Sequence, residues 1–128
     1  MPIPDALKST TPAEINITVK QGQTYLEQYQ FQNAGANIDL TGCTATAKIK
    51  DTFTGTLLAT FTCTIPVPAD GTVRIALLPA TTAALTATFP DTSTRAVVFG
   101  VWDFEVSDGT DIIRGAQGTA TLSREVTT

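Results

Sequence analysis

The acidic side chains in the last quarter of the chain are the first candidates for chemistry. Asp103 and Glu105 stand two residues apart in an apolar segment, so in a β-strand both carboxylates would lie on one face. Carboxyl pairs about 5 to 10 Å apart catalyse glycoside hydrolysis. With Asp108 and Asp111 they could instead bind Ca²⁺, although the spacing does not match an EF-hand loop. The simpler alternative, which we favour, is a solvated strand face.

Histidine is absent from all 128 residues. The chain therefore lacks the commonest general base and metal ligand, which excludes the usual Ser-His-Asp and Cys-His hydrolases and most zinc sites. Residues 115–118 are glycine-rich, but they carry no lysine and precede no helical pattern, so they do not form a phosphate-binding loop. We expect that the protein is not an enzyme and has no catalytic residue, metal ligand or cofactor.

Aromatic and cysteine side chains offer two further possibilities. Trp102, Tyr25 and Tyr29 could form a platform on which a sugar stacks, but a lone tryptophan in an apolar strand more often belongs to the core. Cys43 and Cys63 fall opposite each other in a predicted hairpin and could form a disulfide. Since the N-terminus shows no signal-peptide pattern, we expect reduced thiols that pack as small apolar groups.

The composition limits the class of partner. The formal net charge is −4, the isoelectric point is about 4.5, only 16% of residues are charged, and about one residue in five is threonine. Binding to nucleic acid depends on clustered lysine and arginine, and spanning a bilayer needs about 20 apolar residues in a row. The sequence has neither feature, so we expect no nucleic-acid partner and no membrane partner.

Apolar and polar residues alternate along most of the chain, which predicts strands. Seven or eight short strands, with turns between them and one helical turn after Pro79, predict an all-β, antiparallel β-sandwich. We assign residues 15–128 to this domain and residues 1–14 to an extended N-terminal arm. The segment 96–106 is apolar enough to be a central strand.

Three local features follow from the same pattern. A five-residue turn at 51–55 would place Ile49 opposite Leu57 and Cys43 opposite Cys63. Asp108 and Gly109 predict a hairpin turn. The glycines that follow indicate a bulge or a close backbone approach. They are Gly115 and Gly118.

The strand edges carry little protection against pairing with other chains. Only Lys48 and Lys50 are placed to block an edge, so we expect neighbouring subunits to cover the others. The arm has too few apolar residues to fold alone and should bind such a neighbour. Ile3, Pro4 and Leu7 are its predicted assembly residues.

The order of several short motifs resembles a known family. They are Gln21-Gly22, residues 38–42, Gly71 before a strand, the helix ending at Leu85, residues 102–106, Asp108-Gly109, Gly115 and residues 125–127. This order is similar to that of the immunoglobulin-like N-terminal domain of phage baseplate upper proteins and of related small phage virion proteins. The similarity covers nearly everything after Glu14, but Cys43 stands where the family has an aromatic residue.

The resemblance implies a structural protein of a bacteriophage virion, made in the host cytoplasm. Such a protein packs as a homo-oligomer or symmetric ring and attaches fibres or other virion proteins to a tail, baseplate or neck. Because the sequence ends where longer baseplate proteins continue, we expect an adaptor rather than a receptor-binding protein. A capsid decoration protein and a carbohydrate-binding module for host attachment are the alternatives.

Overall fold

The computed structural model describes residues 12–33 and 35–126. Within these residues the chain forms eleven strands, a short helix and a 3₁₀ turn at Pro68–Asp70. The strands are β1 (Ala13–Glu14), β2 (Ile17–Lys20), β3 (Tyr25–Gln30), β4 (Gln32–Asn33), β5 (Ala36–Asn37), β6 (Thr44–Lys50), β7 (Leu57–Thr60), β8 (Thr62–Thr64), β9 (Thr72–Leu77), β10 (Ala96–Ser107) and β11 (Ile112–Ser123). The helix, α1, spans Pro79–Ala83.

The strands form two main sheets, and the predicted all-β sandwich is confirmed. The large sheet has the order β1-β11-β10-β6-β7, with β2 also paired to β11, and the small sheet has the order β3-β9-β8. One part of the prediction is wrong: β1 and β2 run parallel to β11, so the sandwich is not wholly antiparallel. Strand β1 also falls inside the segment that we assigned to the arm.

Alternating side chains of both sheets fill the space between them. On β10, Trp102, Phe104 and Val106 are buried, whereas the residues between them lie on the outer face. Tyr29, from the small sheet, stacks on Phe104 with ring centroids 5.0 Å apart. Strand β10 lies between β11 and β6, so the predicted central strand is confirmed.

Both predicted roles of the glycines in β11 are confirmed. Gly115 is the extra residue of a bulge, because Phe104 pairs with Ala116 while the next residue, Glu105, pairs with Arg114. At Gly118 the backbone of Ile15 approaches so closely that a Cβ atom would overlap its carbonyl oxygen. The bulge at Gly115 lets β11 stay paired with β10, and Gly118 leaves room for the N-terminal segment against β11.

The predicted hairpin register is wrong. Ile49 pairs with Ala59 rather than Leu57, because the ladder has an irregularity next to Lys50. After Thr60 the chain leaves the large sheet, and β8 pairs with β9 in the small sheet, where Cys63 lies opposite Ile75. Cys43 and Cys63 therefore do not face each other, and both carry thiols rather than a disulfide.

Two smaller expectations also need correction. Lys48 and Lys50 do not protect an edge, because β6 lies between β10 and β7 and both lysines pair with β7. The sequence predicts that the helical turn docks through Ala84 and Leu85, but Ala84 is exposed and the buried residues are Thr82 and Leu85. The buried Thr82 hydroxyl donates a hydrogen bond to a carbonyl, with Gln23 O at 2.9 Å and Pro79 O at 3.1 Å within reach. A polar side chain can be buried here because its hydroxyl is satisfied.

Candidate functional site

The outer face of the large sheet carries a groove of about 460 Å³, which we call the outer groove. It is lined by β6, β10 and β11 and by Phe53 of the 51–55 loop. Its lining residues are Lys48, Lys50, Phe53, Val101, Trp102, Asp103, Glu105, Arg114 and Gln117. A smaller depression of about 160 Å³ adjoins it and adds Glu14, Asn16 and Thr119.

Phe53 is the most exposed large apolar side chain of the described residues, with 85% of its surface accessible. The loop that carries it is closed by hydrogen bonds: Asp51 and Thr56 pair through their backbones, and the Asp51 carboxylate accepts the N–H of Thr56 at 2.7 Å. A closed loop presents the phenyl ring at lower cost in conformational entropy than an open one. An apolar ring held in water beside a groove is a typical contact residue.

Opposite charges face each other across the strands of the groove. Asp103 lies opposite Lys48, and Glu105 lies opposite Arg114. Arg114 Nε also lies 3.4 Å from Asp103 Oδ2. Such cross-strand pairs stabilise a sheet modestly, and they hold the charged groups at fixed positions on the face.

A hydrogen-bond chain extends this network to the N-terminal strands. Arg114 Nη1 donates to Gln117 Oε1 at 3.0 Å, and Gln117 Nε2 donates to Glu14 Oε1 at 2.7 Å. The chain thus joins β10, β11 and β1. The groove can make ionic, amide and apolar contacts with a macromolecule at the same time.

The structure places Asp103 and Glu105 together on the outer face of β10, as predicted. Asp103 is ion-paired and well exposed, which suits the predicted solvated face. Asp108 stabilises the hairpin turn, because its carboxylate accepts hydrogen bonds from the N–H groups of Thr110 and Asp111. Within residues 12–33 and 35–126, no three potential metal-ligating side chains gather closely enough to hold an ion.

The rings considered for a sugar platform belong to the core, which is the alternative that the sequence favours for Trp102. Trp102 is 3% exposed and lies against Phe104, and Tyr25 is also buried. Tyr29 is half-buried between the sheets, against Trp102 and Phe104. Trp102 Nε1 donates a hydrogen bond of 2.8 Å to Ile15 O, so this side chain anchors the segment between β1 and β2.

Neither cysteine is placed as a reactive nucleophile. Burial raises the pKa of the Cys63 thiol. At Cys43 burial again raises the pKa, and the nearby negative charge of Asp108 adds to the effect. Both shifts disfavour the thiolate, which is the nucleophilic form.

The predicted assembly residues Ile3, Pro4 and Leu7 lie outside the described residues. The described chain nevertheless begins beside the candidate site, because Glu14 of β1 lines the depression that adjoins the outer groove. Sequence reasoning missed Phe53 altogether. The signal available to it was one large aromatic residue in an otherwise polar turn, Asp51-Thr52-Phe53-Thr54-Gly55.

No protein-family model matches this sequence, and no curated protein matches it. The functional argument therefore depends on the surface of the molecule and on the order of its motifs. Among the helices that the structure describes, none has the length and apolar character to traverse a bilayer.

Proposed function

We propose that this chain is a structural subunit of a bacteriophage virion, an adaptor that joins other virion proteins in the tail, baseplate or neck. The outer groove is its contact surface for another virion protein. The observation that carries the proposal is Phe53, an 85% exposed aromatic side chain on a closed loop beside fixed charges. Aromatic anchors surrounded by polar groups are typical of protein interfaces.

The rest of the surface supports the same role. Exposed Leu57, Leu78 and Val98 add apolar area outside the groove, on a chain with few charged residues. Such a surface suits a protein that is enclosed by other subunits. The motif order that resembles the small baseplate domains supports the virion as the place of assembly.

Quantitative mass spectrometry of purified particles tests the proposal. A phage with the wild-type gene should carry the chain in a fixed ratio to its major capsid protein. Phe53→Ser should lower that ratio about tenfold or more, because aromatic interface anchors often contribute 2 kcal/mol or more to binding. Leu78→Ser removes an exposed apolar side chain outside the groove and should lower the ratio far less than Phe53→Ser does.

Two results would contradict the proposal. One is the absence of the chain from wild-type particles, and the other is normal incorporation of the Phe53→Ser variant. The copy number separates the two virion roles: six or twelve copies indicate a tail, baseplate or neck adaptor, whereas hundreds of copies in icosahedral ratio indicate capsid decoration.

A further inference from the structure

Strand β3 lies at the end of the small sheet, and no other strand of the described residues pairs with its outer side. It is six residues long and pairs with β9 on one side. The strand at the opposite edge of that sheet, β8, has three residues. Three of the devices that protect an edge are missing from β3, because it contains no proline, no lysine and no bulge. Its single charged residue is Glu27.

The ladder shows which backbone groups point outward. The register of β3 with β9 continues to Phe31, whose N–H donates to Gly71 O at 2.8 Å. Because hydrogen-bonded pairs alternate along an antiparallel ladder, the odd-numbered residues of β3 bond to β9. The N–H and C=O groups of the even-numbered residues therefore face the open edge. They belong to Leu26, Gln28 and Gln30. Within residues 12–33 and 35–126, none of these groups bonds to the backbone of a turn or loop.

We propose that this edge pairs with the β3 edge of a second copy of the chain, in antiparallel orientation, about a twofold axis at Gln28. Outward groups must meet outward groups, so even-numbered residues must face even-numbered residues. In the register centred on Gln28, Leu26 faces Gln30, and Glu27 faces Tyr29. A continuous six-stranded sheet, β8-β9-β3-β3-β9-β8, results.

This register has two neighbours. With the axis at Tyr29, Leu26 would face Gln32, which lies beyond the end of β3. Charge excludes the other. A shift of the axis by one residue, to Glu27, also aligns the outward groups but places the two Glu27 carboxylates opposite each other. Like charges directly opposite are destabilising, whereas the Gln28 register has no such pair. The edge is thus complementary to itself. Leu26, 53% exposed on the outer face of the strand, would gain an apolar contact with the stem of Gln30.

This pairing depends on β3 alone and does not rest on the virion role, so its test uses the purified full-length chain. In an antiparallel hydrogen-bonded pair the two Cα atoms lie about 5.5 Å apart, within disulfide range. Gln28→Cys, in a Cys43→Ser and Cys63→Ser background, should therefore oxidise to a covalent dimer. Thr64→Cys, on β8 at the other edge of the same sheet, should not.

A second variant removes the need for an engineered bond. Gln28→Pro eliminates an outward N–H and leaves the bonds to β9 intact, so the monomer should fold while dimerisation weakens about tenfold or more. Gln28→Thr keeps the N–H and should dimerise like the wild type. Sedimentation velocity over a concentration series measures both.

Four outcomes would overturn the proposal. They are a wild-type chain that stays monomeric at high concentration, a dimer that is insensitive to Gln28→Pro, cross-linking of Thr64→Cys equal to that of Gln28→Cys, and cross-linking at Gln28 that appears only after residues 1–11 are deleted. The last result would mean that the chain's own N-terminus covers the edge.

Discussion

Tyr25 and Tyr29 bring two phenol groups into the space between the sheets. Burial raises the pKa of Tyr25 well above its ordinary value of 10.0, and Tyr29 and Glu27 raise it further. Burial also raises the pKa of Tyr29. Both rings must therefore be neutral for the sandwich to keep its packing.

These shifts predict an alkaline limit to stability. Because the pKa values are higher in the folded chain than in the unfolded chain, the stabilisation is complete below about pH 10 and is lost as the pH rises above it. The urea midpoint should be nearly constant from pH 7 to 9 and fall steeply above about pH 10. Tyr25→Phe should show a smaller fall, and an equal fall in the variant would show that Tyr25 is not responsible.

The thiols give a second prediction at the residue scale. The unfolded chain should take up two equivalents of iodoacetamide without a reductant, because Cys43 and Cys63 are not joined. The folded chain at pH 8 should react several-fold more slowly than the unfolded one, since burial raises the pKa of both thiols. Intact mass spectrometry reports both results. A protein whose mass is two daltons lower and that does not react with iodoacetamide would contain a disulfide, which would contradict the prediction.

Sequence reasoning succeeded at residues whose environment follows from alternation. The burial of Trp102 and the outward direction of Asp103 and Glu105 are fixed by the period of a strand. It failed to find Phe53, because exposure in a turn depends on how the turn is closed. The bonds between Asp51 and Thr56 that display Phe53 cannot be derived from the types of the residues alone.

At the scale of elements, the segment that links β1 to β2 packs closely against β11. Ile15 N–H donates to Gln117 O, and Ile15 O accepts from Trp102 Nε1. Gly118 leaves the space that this contact needs, because any Cβ there would overlap the Ile15 carbonyl. This link therefore requires a glycine at position 118, in addition to the strand pairing that joins β1 and β2 to β11.

Gly118→Ala should loosen the attachment of β1 and β2 to β11 while the sandwich remains folded. We expect a loss of about 2 kcal/mol in the free energy of unfolding, through overpacking and two broken hydrogen bonds. Faster amide hydrogen exchange at residues 17–20 should accompany it. Thr119→Ala, on the next residue, should change stability by less than about 0.5 kcal/mol. Unchanged exchange in Gly118→Ala would contradict the role of the glycine.

The elements also show why the hairpin register could not be predicted. Residues 59–65 alternate without a break, so the pattern is the same whether they form one strand or two. In the fold the chain crosses at Phe61 from the large sheet to the small one, and its apolar side chains face the core on both sides of the crossing. Alternation determines which face a residue occupies, but it does not determine which sheet the strand joins.

At the scale of the whole molecule, the two proposed contact surfaces lie on different parts of the sandwich. The outer groove is built on β6, β10 and β11 of the large sheet, whereas the β3 edge belongs to the small sheet. They share no residue. One copy can therefore use both surfaces at once, and a dimer through β3 would present two outer grooves to partners.

This separation predicts that the two contacts are energetically independent. Phe53→Ser should lower incorporation into particles and leave the dissociation constant of the purified dimer within about twofold, because substitutions at distant sites with no shared partner act additively. Both Phe53→Ser and Gln28→Pro should keep the wild-type circular dichroism spectrum. The decisive measurement is sedimentation velocity of Phe53→Ser beside the wild type. If Phe53→Ser made the purified chain monomeric, the dimer would form through the outer groove, and the assignment of β3 as the self-pairing edge would be wrong.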